Sequence, residues 1–184
     1  MKKKRKMQWW WIALPTFALA ILVFVSRSQT QNSDTGYKEY TNSTYGFSVE
    51  YPSSWEVRED THVFENGDIV AFQIKGQTQK RYTEFIDGAR FIVAKPFTID
   101  TDLETWMKGY FDDQAEFSKF TLAKYPFEAV EDCSQFGCMR YLFTTINGQA
   151  YGVALFAQGT SEESAGYENA LLYMLKSLTF TKDY

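Results

Sequence analysis

The residues best suited to chemistry include the two cysteines, which stand close together in the sequence. Four residues separate Cys133 from Cys138, and Gly137 can adopt the positive φ that a tight connection needs. A redox pair usually shows C-x-x-C spacing, and a zinc site needs further ligands where the chain offers one histidine. We therefore predict a structural disulfide between Cys133 and Cys138, worth roughly 2 kcal/mol. The alternatives are two free thiols, a redox-active cysteine pair, or two ligands of a metal ion.

The single histidine and three carboxylate pairs are the other candidates for catalysis. A Ser-His-Asp or Cys-His mechanism would need His62 as its base, but no serine has a G-x-S-x-G context, and His62 lies in a polar stretch that we interpret as a solvated loop. Carboxylate pairs suit a glycosidase or a cation site. The pairs are Asp100/Asp102, Asp112/Asp113 and Glu131/Asp132. Because none has EF-hand spacing, we predict no catalytic residue, no metal site and no cofactor.

Aromatic residues make up 18% of the chain and are the remaining chemical signal. Those near predicted loops and strand ends would suit recognition of a protein, peptide or glycan, and ordinary core packing is the alternative. They are Tyr37, Tyr40, Tyr45, Tyr82, Phe85, Phe120, Tyr125, Phe127 and Phe136. Asn42-Ser43-Thr44 matches a glycosylation sequon, although a turn before Tyr45 explains it equally well.

Strands must position the candidate residues named above. The pattern of apolar residues and the turn signals predict where these strands lie. Asn66-Gly67 and Asn147-Gly148 each indicate a hairpin. In 69–74 and 151–157, apolar residues occupy both the odd and the even positions. This pattern predicts strands that are covered on both faces. The predicted strands are 45–52, 63–64, 69–74, 89–97, 127–131, 139–146 and 150–157.

Two amphipathic helices complete the predicted domain. The first begins at Thr101-Asp102-Leu103-Glu104, which fits a capping box, and its apolar stripe extends to Phe117. The second covers about 164–177. Two helices with a largely antiparallel sheet predict an α+β sandwich.

The N-terminal segment differs in charge from the rest of the chain. Residues 1–33 contain six basic and no acidic residues, so the remaining 151 residues carry 13 basic against 23 acidic, a net charge of −10. We predict a cytoplasmic basic segment (1–8), a transmembrane signal-anchor (9–25), a flexible linker (26–36) and an extracytoplasmic domain (37–184). The alternative is a signal peptide cleaved near Ser26-Arg27-Ser28, which leaves a secreted or periplasmic domain. The acidic domain disfavours binding of nucleic acid.

The stretch from Tyr45 to Trp55 resembles the GF-x-(hydrophobic)-x-x-P-x-x-W opening of PsbP-like domains. The similarity continues through Leu103-Glu104-Thr105-Trp106, the strand pair around Asn147-Gly148 and a final helix that runs into Ser177-Leu178-Thr179-Phe180. The resemblance implies an α/β/α sandwich shared by PsbP, by Mog-type proteins and by bacterial envelope proteins. Members of that family are mostly binding or assembly factors, with no catalytic set to carry over.

The expected function is therefore that of a non-enzymatic module held at the cytoplasmic membrane, with a protein or envelope component as its partner. Two alternatives stay open at this point. One is an envelope hydrolase that uses a carboxylate pair, and the other is a carrier of a small ligand or metal.

Overall fold

A computed structural model describes residues 36–64, 67–81, 84–111, 115–134 and 137–180, without the side chains of 60–64, 67, 68 and 161. The predicted basic segment (1–8), the transmembrane segment (9–25) and linker residues 26–35 lie outside this description. Neither helix of the described part has the length and apolar character that a membrane crossing requires. The helices are α1 (Leu103–Tyr110) and α2 (Ser161–Ser177).

In the described residues, ten strands form two antiparallel sheets. Three of them make a small sheet in the order β1-β2-β10, and seven make a large sheet in the order β3-β4-β5-β9-β8-β7-β6. The strands are β1 (Tyr37–Asn42), β2 (Phe47–Pro52), β3 (Glu56–Phe64), β4 (Gly67–Lys75), β5 (Gly88–Ala94), β6 (Phe117–Leu122), β7 (Tyr125–Ser134), β8 (Gly137–Ile146), β9 (Gln149–Gln158) and β10 (Thr179–Phe180).

Both predicted hairpins are present. Asn147 and Gly148 have φ values of 51° and 78°, the two positive angles that a type I′ turn requires between β8 and β9. The first hairpin joins β3 to β4 with Phe64 opposite Gly67. Asn66 of its turn lies outside the described residues.

The two helices cover opposite faces of the large sheet. Consecutive residues of a strand point to opposite faces, and Ala129 and Val130 of β7 belong to different apolar clusters. The cluster around Ala129 contains Met174 of α2, whereas that around Val130 contains Met107 of α1. The small sheet contributes β2 to the α2 side. The predicted layering of helix, sheet and helix is thus observed, and β4 and β9 are buried on both faces as expected.

The start of α1 differs by one residue from the prediction. Asp102, rather than Thr101, is the N-cap, because its carboxylate accepts a hydrogen bond from the Thr105 backbone N–H at 3.0 Å. The chain does contain a capping box, but in α2, where Thr160 and Glu163 bond reciprocally. That box explains why α2 begins at Ser161, three residues earlier than predicted.

Other boundaries were also predicted wrongly. The helix α1 ends at Tyr110, and Phe117 opens strand β6, where it lies opposite Val130. His62 belongs to β3 rather than to a loop, although its side chain is outside the description. Residue 97 makes only an isolated bridge to Ala150, so β5 is shorter than the predicted 89–97. The sequence pattern did not predict β1, β6 or β10.

Candidate functional site

An open apolar groove of about 800 Å³ runs between α2 and the strands β6 to β9. Six leucine and two alanine side chains line it, and polar residues share the lining: Ser118, Glu131, Cys138, Arg140, Gln158 and Glu168. The apolar residues around it are Phe120, Leu122, Ala129, Leu142, Leu155, Ala157, Leu171, Leu172 and Leu175. We call this feature the α2 groove.

The α2 groove exists because α2 does not cover the whole sheet. The helix makes most of its contacts with β2, β5 and β9, whereas the edge strand β6 stays largely exposed. Leu172 of α2 is 46% exposed and Phe120 of β6 is 36% exposed. Large apolar side chains that stay in contact with water around a concave surface indicate a binding site.

One long side of this groove ends at the open edge of the large sheet. Strand β6 pairs with β7 on one side only, so the other side of its backbone has no strand partner in the described sheet. Residues 118 to 121 of β6 are all exposed. An open edge offers N–H and C=O groups to an added strand, and apolar pockets beside it accept alternate side chains of that strand.

The disulfide lies at the rim of the α2 groove, on the hairpin between β7 and β8. Cys133 and Cys138 are direct cross-strand partners, their sulfur atoms are 2.09 Å apart, and both residues are exposed. Cys138 lines the groove itself. Gly137 has φ of 123°, as predicted, and a Cβ there would lie 2.5 Å from the Gln158 side-chain oxygen. Only glycine fits this position without strain.

Glu131 and Arg140 form a cross-strand ion pair on the same rim. Their carboxylate and guanidinium groups are 3.4 Å apart, and each side chain is more than half exposed. An exposed pair of this kind contributes about 0–1 kcal/mol and is easily rearranged. Asp132 follows Glu131 in the strand and therefore points to the opposite face, so this predicted carboxylate pair cannot act on one substrate atom.

A second cleft, of about 870 Å³, lies at the N-terminus of α1. Glu104 accepts hydrogen bonds from Lys108 at 2.6 Å and from Lys119 at 2.7 Å, and these two ammonium groups lower its pKa to about 2. Lys119 also lies 3.3 Å from Glu128. Hydrogen bonds from Thr105 lower the pKa of Asp102.

These carboxylates are held ionised, which is the reverse of what a hydrolase of the predicted type needs. A general acid requires a raised pKa, whereas the pKa values of Asp102 and Glu104 are both lowered. Asp102 serves as the helix cap, and Asp112 and Asp113 lie outside the described residues. Asp102 and Glu104 therefore do not support the envelope-hydrolase alternative.

The described residues contain one cluster that is close enough to share a metal ion. It consists of Glu131, Cys133 and Cys138, whose ligand atoms all lie within 4.8 Å of one another. Both sulfur atoms belong to the disulfide, and a thiolate is the form of cysteine that ligates metals. In the oxidised protein this cluster therefore offers a single carboxylate.

The aromatic candidates divide between the core and the surface. Tyr45, Tyr125 and Phe127 are buried, Tyr40 and Phe85 are half-buried, and Tyr82 and Phe136 lie outside the described residues. The two exposed members are Tyr37 and Phe120, of which Phe120 lines the α2 groove.

The sequon residue Asn42 has a structural role in a turn. Its side-chain oxygen accepts a hydrogen bond from the Tyr45 backbone N–H at 2.9 Å, and its carbonyl accepts one from Gly46 at 2.8 Å. This turn leads from β1 into β2.

Sequence reasoning found Cys138, Glu131 and Phe120 separately, and the structure brings them to one groove. It missed Leu172 and Arg140. Leu172 was detectable in principle, because it is an apolar residue that stands off the buried stripe of α2 and is therefore expected on the surface. Nothing in the sequence indicates that Arg140 lies beside the disulfide, since that depends on the register of β7 and β8.

No protein-family profile matches the sequence, and no curated protein matches it. Solved structures do. An antiparallel sheet with a helix on each face, together with a small sheet that contains the first and last described strands, defines a PsbP-like fold. The solution structure of cyanobacterial PsbP (CyanoP) from Synechocystis sp. PCC 6803 shares this fold with a TM-score of 0.51 and 14% identity, over 79% of this chain and 93% of that one.

Two further structures are similar at lower scores. A protein from Bacteroides thetaiotaomicron has a TM-score of 0.48 and 15% identity, over 79% of this chain and 49% of its own. This chain thus spans about half the length of that protein. The Saccharomyces cerevisiae Ran-binding protein Mog1p has a TM-score of 0.45 and 13% identity, over 80% of this chain and 96% of that one.

Proposed function

We propose that this protein is a non-enzymatic, membrane-anchored PsbP-like module that binds an extended segment of a partner protein in the α2 groove, outside the cytoplasm. The open apolar groove beside an unpaired strand edge is the observation that carries the proposal. The PsbP-like fold is consistent with it, because a binding role needs a shaped surface rather than a catalytic set.

The α2 groove offers both parts of peptide recognition. Exposed side chains such as Leu172 and Phe120 gain about 25 cal/mol for each Å² of apolar surface that a partner removes from water. Strand β6 adds backbone hydrogen bonds along its open side, which hold a peptide in register. The net charge of −10 over residues 34–184 favours a segment flanked by lysine or arginine over an acidic one.

The N-terminal sequence supports the proposed location. Five basic residues precede residue 7, and an almost continuous apolar stretch follows from Trp9 to Val25. This order suits a signal-anchor that leaves the domain on the outer side of the cytoplasmic membrane. Protease added to intact spheroplasts should digest the domain, and full protection until the membrane is lysed would contradict this topology.

Photo-crosslinking from inside the groove tests the binding site. A benzophenone amino acid at Leu172 of the full-length, membrane-bound protein should form a specific adduct, and mass spectrometry of that adduct should show attachment within an extended apolar segment. The matched control is the same probe at Ile86, which is 39% exposed and does not line the groove. Adducts formed in equal yield from both positions would contradict a partner that binds specifically in the groove.

A pair of charge substitutions provides the second test. Leu172→Asp should abolish the adduct formed by a probe at Phe120, because a bound apolar segment would remove water from the new carboxylate. Ile86→Asp should leave that adduct unchanged. Loss of the adduct in both variants, or in neither, would contradict the proposal.

The size of the α2 groove also favours a second candidate function, the transport of a small apolar ligand. Its volume falls within the roughly 300–1,000 Å³ of small-molecule sites. Native mass spectrometry of the full-length protein released from its detergent micelle would show such a ligand as a mass increment that Leu172→Asp removes.

A further inference from the structure

The position of the disulfide in the fold suggests more than a structural role. Both cysteines are exposed, and Cys138 lines the α2 groove, where the proposed partner would lie. A disulfide that serves only as a staple is commonly protected from solvent, whereas exposed ones are the labile or catalytic class.

The fold does not depend on this bond for the pairing of its strands. The ladder between β7 and β8 is in register from Glu128 opposite Phe143 to Ser134 opposite Gly137. Each strand also has a second neighbour, β6 for β7 and β9 for β8. Because both strands are interior to the sheet, reduction should leave the hairpin in place, so that the oxidised and reduced proteins are both folded.

Two opposite charges lie near the bond, the Arg140 guanidinium and the Glu131 carboxylate, and the carboxylate is within 4.8 Å of both sulfur atoms. Arg140 precedes Leu142 and follows Cys138 by two residues on the same face of β8, and it lines the groove together with Cys138. It also lines the neighbouring cavity that contains Cys133. Its ion pair with Glu131 is exposed and weak, so the guanidinium can turn toward a sulfur anion and offset the repulsion from the Glu131 carboxylate.

We propose that Cys133–Cys138 is an exchangeable disulfide that forms a reversible mixed disulfide with a cysteine of the segment bound in the groove. The partner's thiolate attacks Sγ of Cys138, its electron pair forms the new S–S bond, and the Cys133–Cys138 bond breaks. Cys133 leaves as a thiolate beside Arg140. One disulfide is consumed and one is formed, so no external oxidant or reductant is needed. Attack of Cys133 on Cys138 reverses the step and releases the partner. The placement of the partner's thiol in the α2 groove rests on the proposed function. The exchange chemistry of the disulfide does not depend on that function.

Glutathione serves as the thiol probe for the chemistry alone. The full-length oxidised protein in detergent micelles is treated with reduced glutathione at pH 7.5, and opening is followed by mass spectrometry of acid-quenched, alkylated samples. The native protein should react within about 10-fold of the rate in 8 M urea, because the bond is already accessible. A native rate more than about 100-fold slower would show a protected staple and overturn the proposal.

Two further measurements examine the residues involved. In trapped adducts, glutathione should be attached mainly to Cys138, and attachment mainly to Cys133 would overturn the assigned direction of attack. Arg140→Gln should slow opening several-fold while Arg140→Lys restores most of the rate, since both variants remove the planar ion pair but only lysine keeps the charge. Equal rates for the two variants would overturn the role of Arg140.

A cysteine-containing peptide separates this inference from the proposed function. In the wild-type protein, an apolar peptide that contains cysteine should react faster than glutathione. If Leu172→Asp leaves the rate with glutathione unchanged but removes this faster reaction of the peptide, the exchange chemistry and the groove assignment are both supported. If the wild-type protein gives apolar peptides no advantage but still reacts rapidly with glutathione, the exchange chemistry stands and the groove assignment fails.

Discussion

Removal of the disulfide should cost this domain about 2 kcal/mol and no more. The two cysteines are five residues apart in the sequence, so the bond closes a very short loop, and the chain-entropy relation gives about 2 kcal/mol for such a loop. Both side chains are exposed, so the double variant Cys133→Ser/Cys138→Ser loses little packing. The loss should lower the melting temperature by roughly 5–8 °C in a domain of this size.

Urea denaturation of the full-length protein in detergent, followed by tyrosine and tryptophan fluorescence, measures this cost. The matched control is the wild-type protein reduced with excess dithiothreitol, which should have the same free energy of unfolding as the double variant. A loss above about 4 kcal/mol, or loss of the native near-ultraviolet circular dichroism, would refute the reasoning, because it would show that the sheet needs the bond to hold β7 against β8.

The remaining predictions concern backbone fit, a salt bridge and a buried hydroxyl. Gly137→Ala should destabilise the domain by about 1–3 kcal/mol in urea titrations, because φ is 123° there, whereas Gly166→Ala, in a helix with open space around it, should be neutral or stabilise it by up to about 1 kcal/mol. The pKa of Glu104 falls from 4.5 to about 2 on folding, so the stability that this carboxylate contributes is complete above pH 4.5 and is lost as the pH falls toward 2. Acid unfolding of Glu104→Gln should therefore depend less steeply on pH across that interval, and an unchanged slope would contradict the assigned ion pairs. Tyr125→Phe should cost about 1–3 kcal/mol in thermal unfolding, because the Tyr125 hydroxyl accepts a hydrogen bond from the buried Phe180 backbone N–H at 3.0 Å. Hydrogen exchange at Phe180 should accelerate in that variant, and unchanged protection would argue against this contact.

Local signals account for the part of the fold that was predictable from the sequence. The Asn-Gly turn at 147–148 determines a hairpin by its own backbone preference, and the alternation of β2 and the apolar stripe of α2 are visible within a dozen residues. The predicted α+β architecture and its PsbP-like form follow from the order of such elements.

The errors arose where distant parts of the chain decide the structure. Strand β10 has two residues and exists because they pair with β2, more than 130 positions earlier in the sequence. Phe117 fits the helical stripe that begins at Leu103, yet its position opposite Val130 makes it a strand residue. Tertiary pairing overrides local pattern in both places.

The candidate site was predictable only in pieces. Cys138 was identified by residue type and Phe120 by its aromatic side chain, but the groove that joins them depends on where α2 lies across the sheet. No pattern within a single element carries that information. The exposed Leu172 was a local sign of a surface feature on α2.

The small sheet has a consequence for engineering the chain. Because β1 and β10 both pair with β2, the first and last described strands lie on the two flanks of a single strand of six residues, about 20 Å long. A circular permutant that joins Phe180 to Tyr37 by a short glycine-rich linker, with new ends in the turn at Asn147-Gly148, should retain the fold. In such a permutant the proposed membrane tether would be joined to β9 instead of β1. The orientation of the groove relative to the membrane could then be varied without any change in the groove itself.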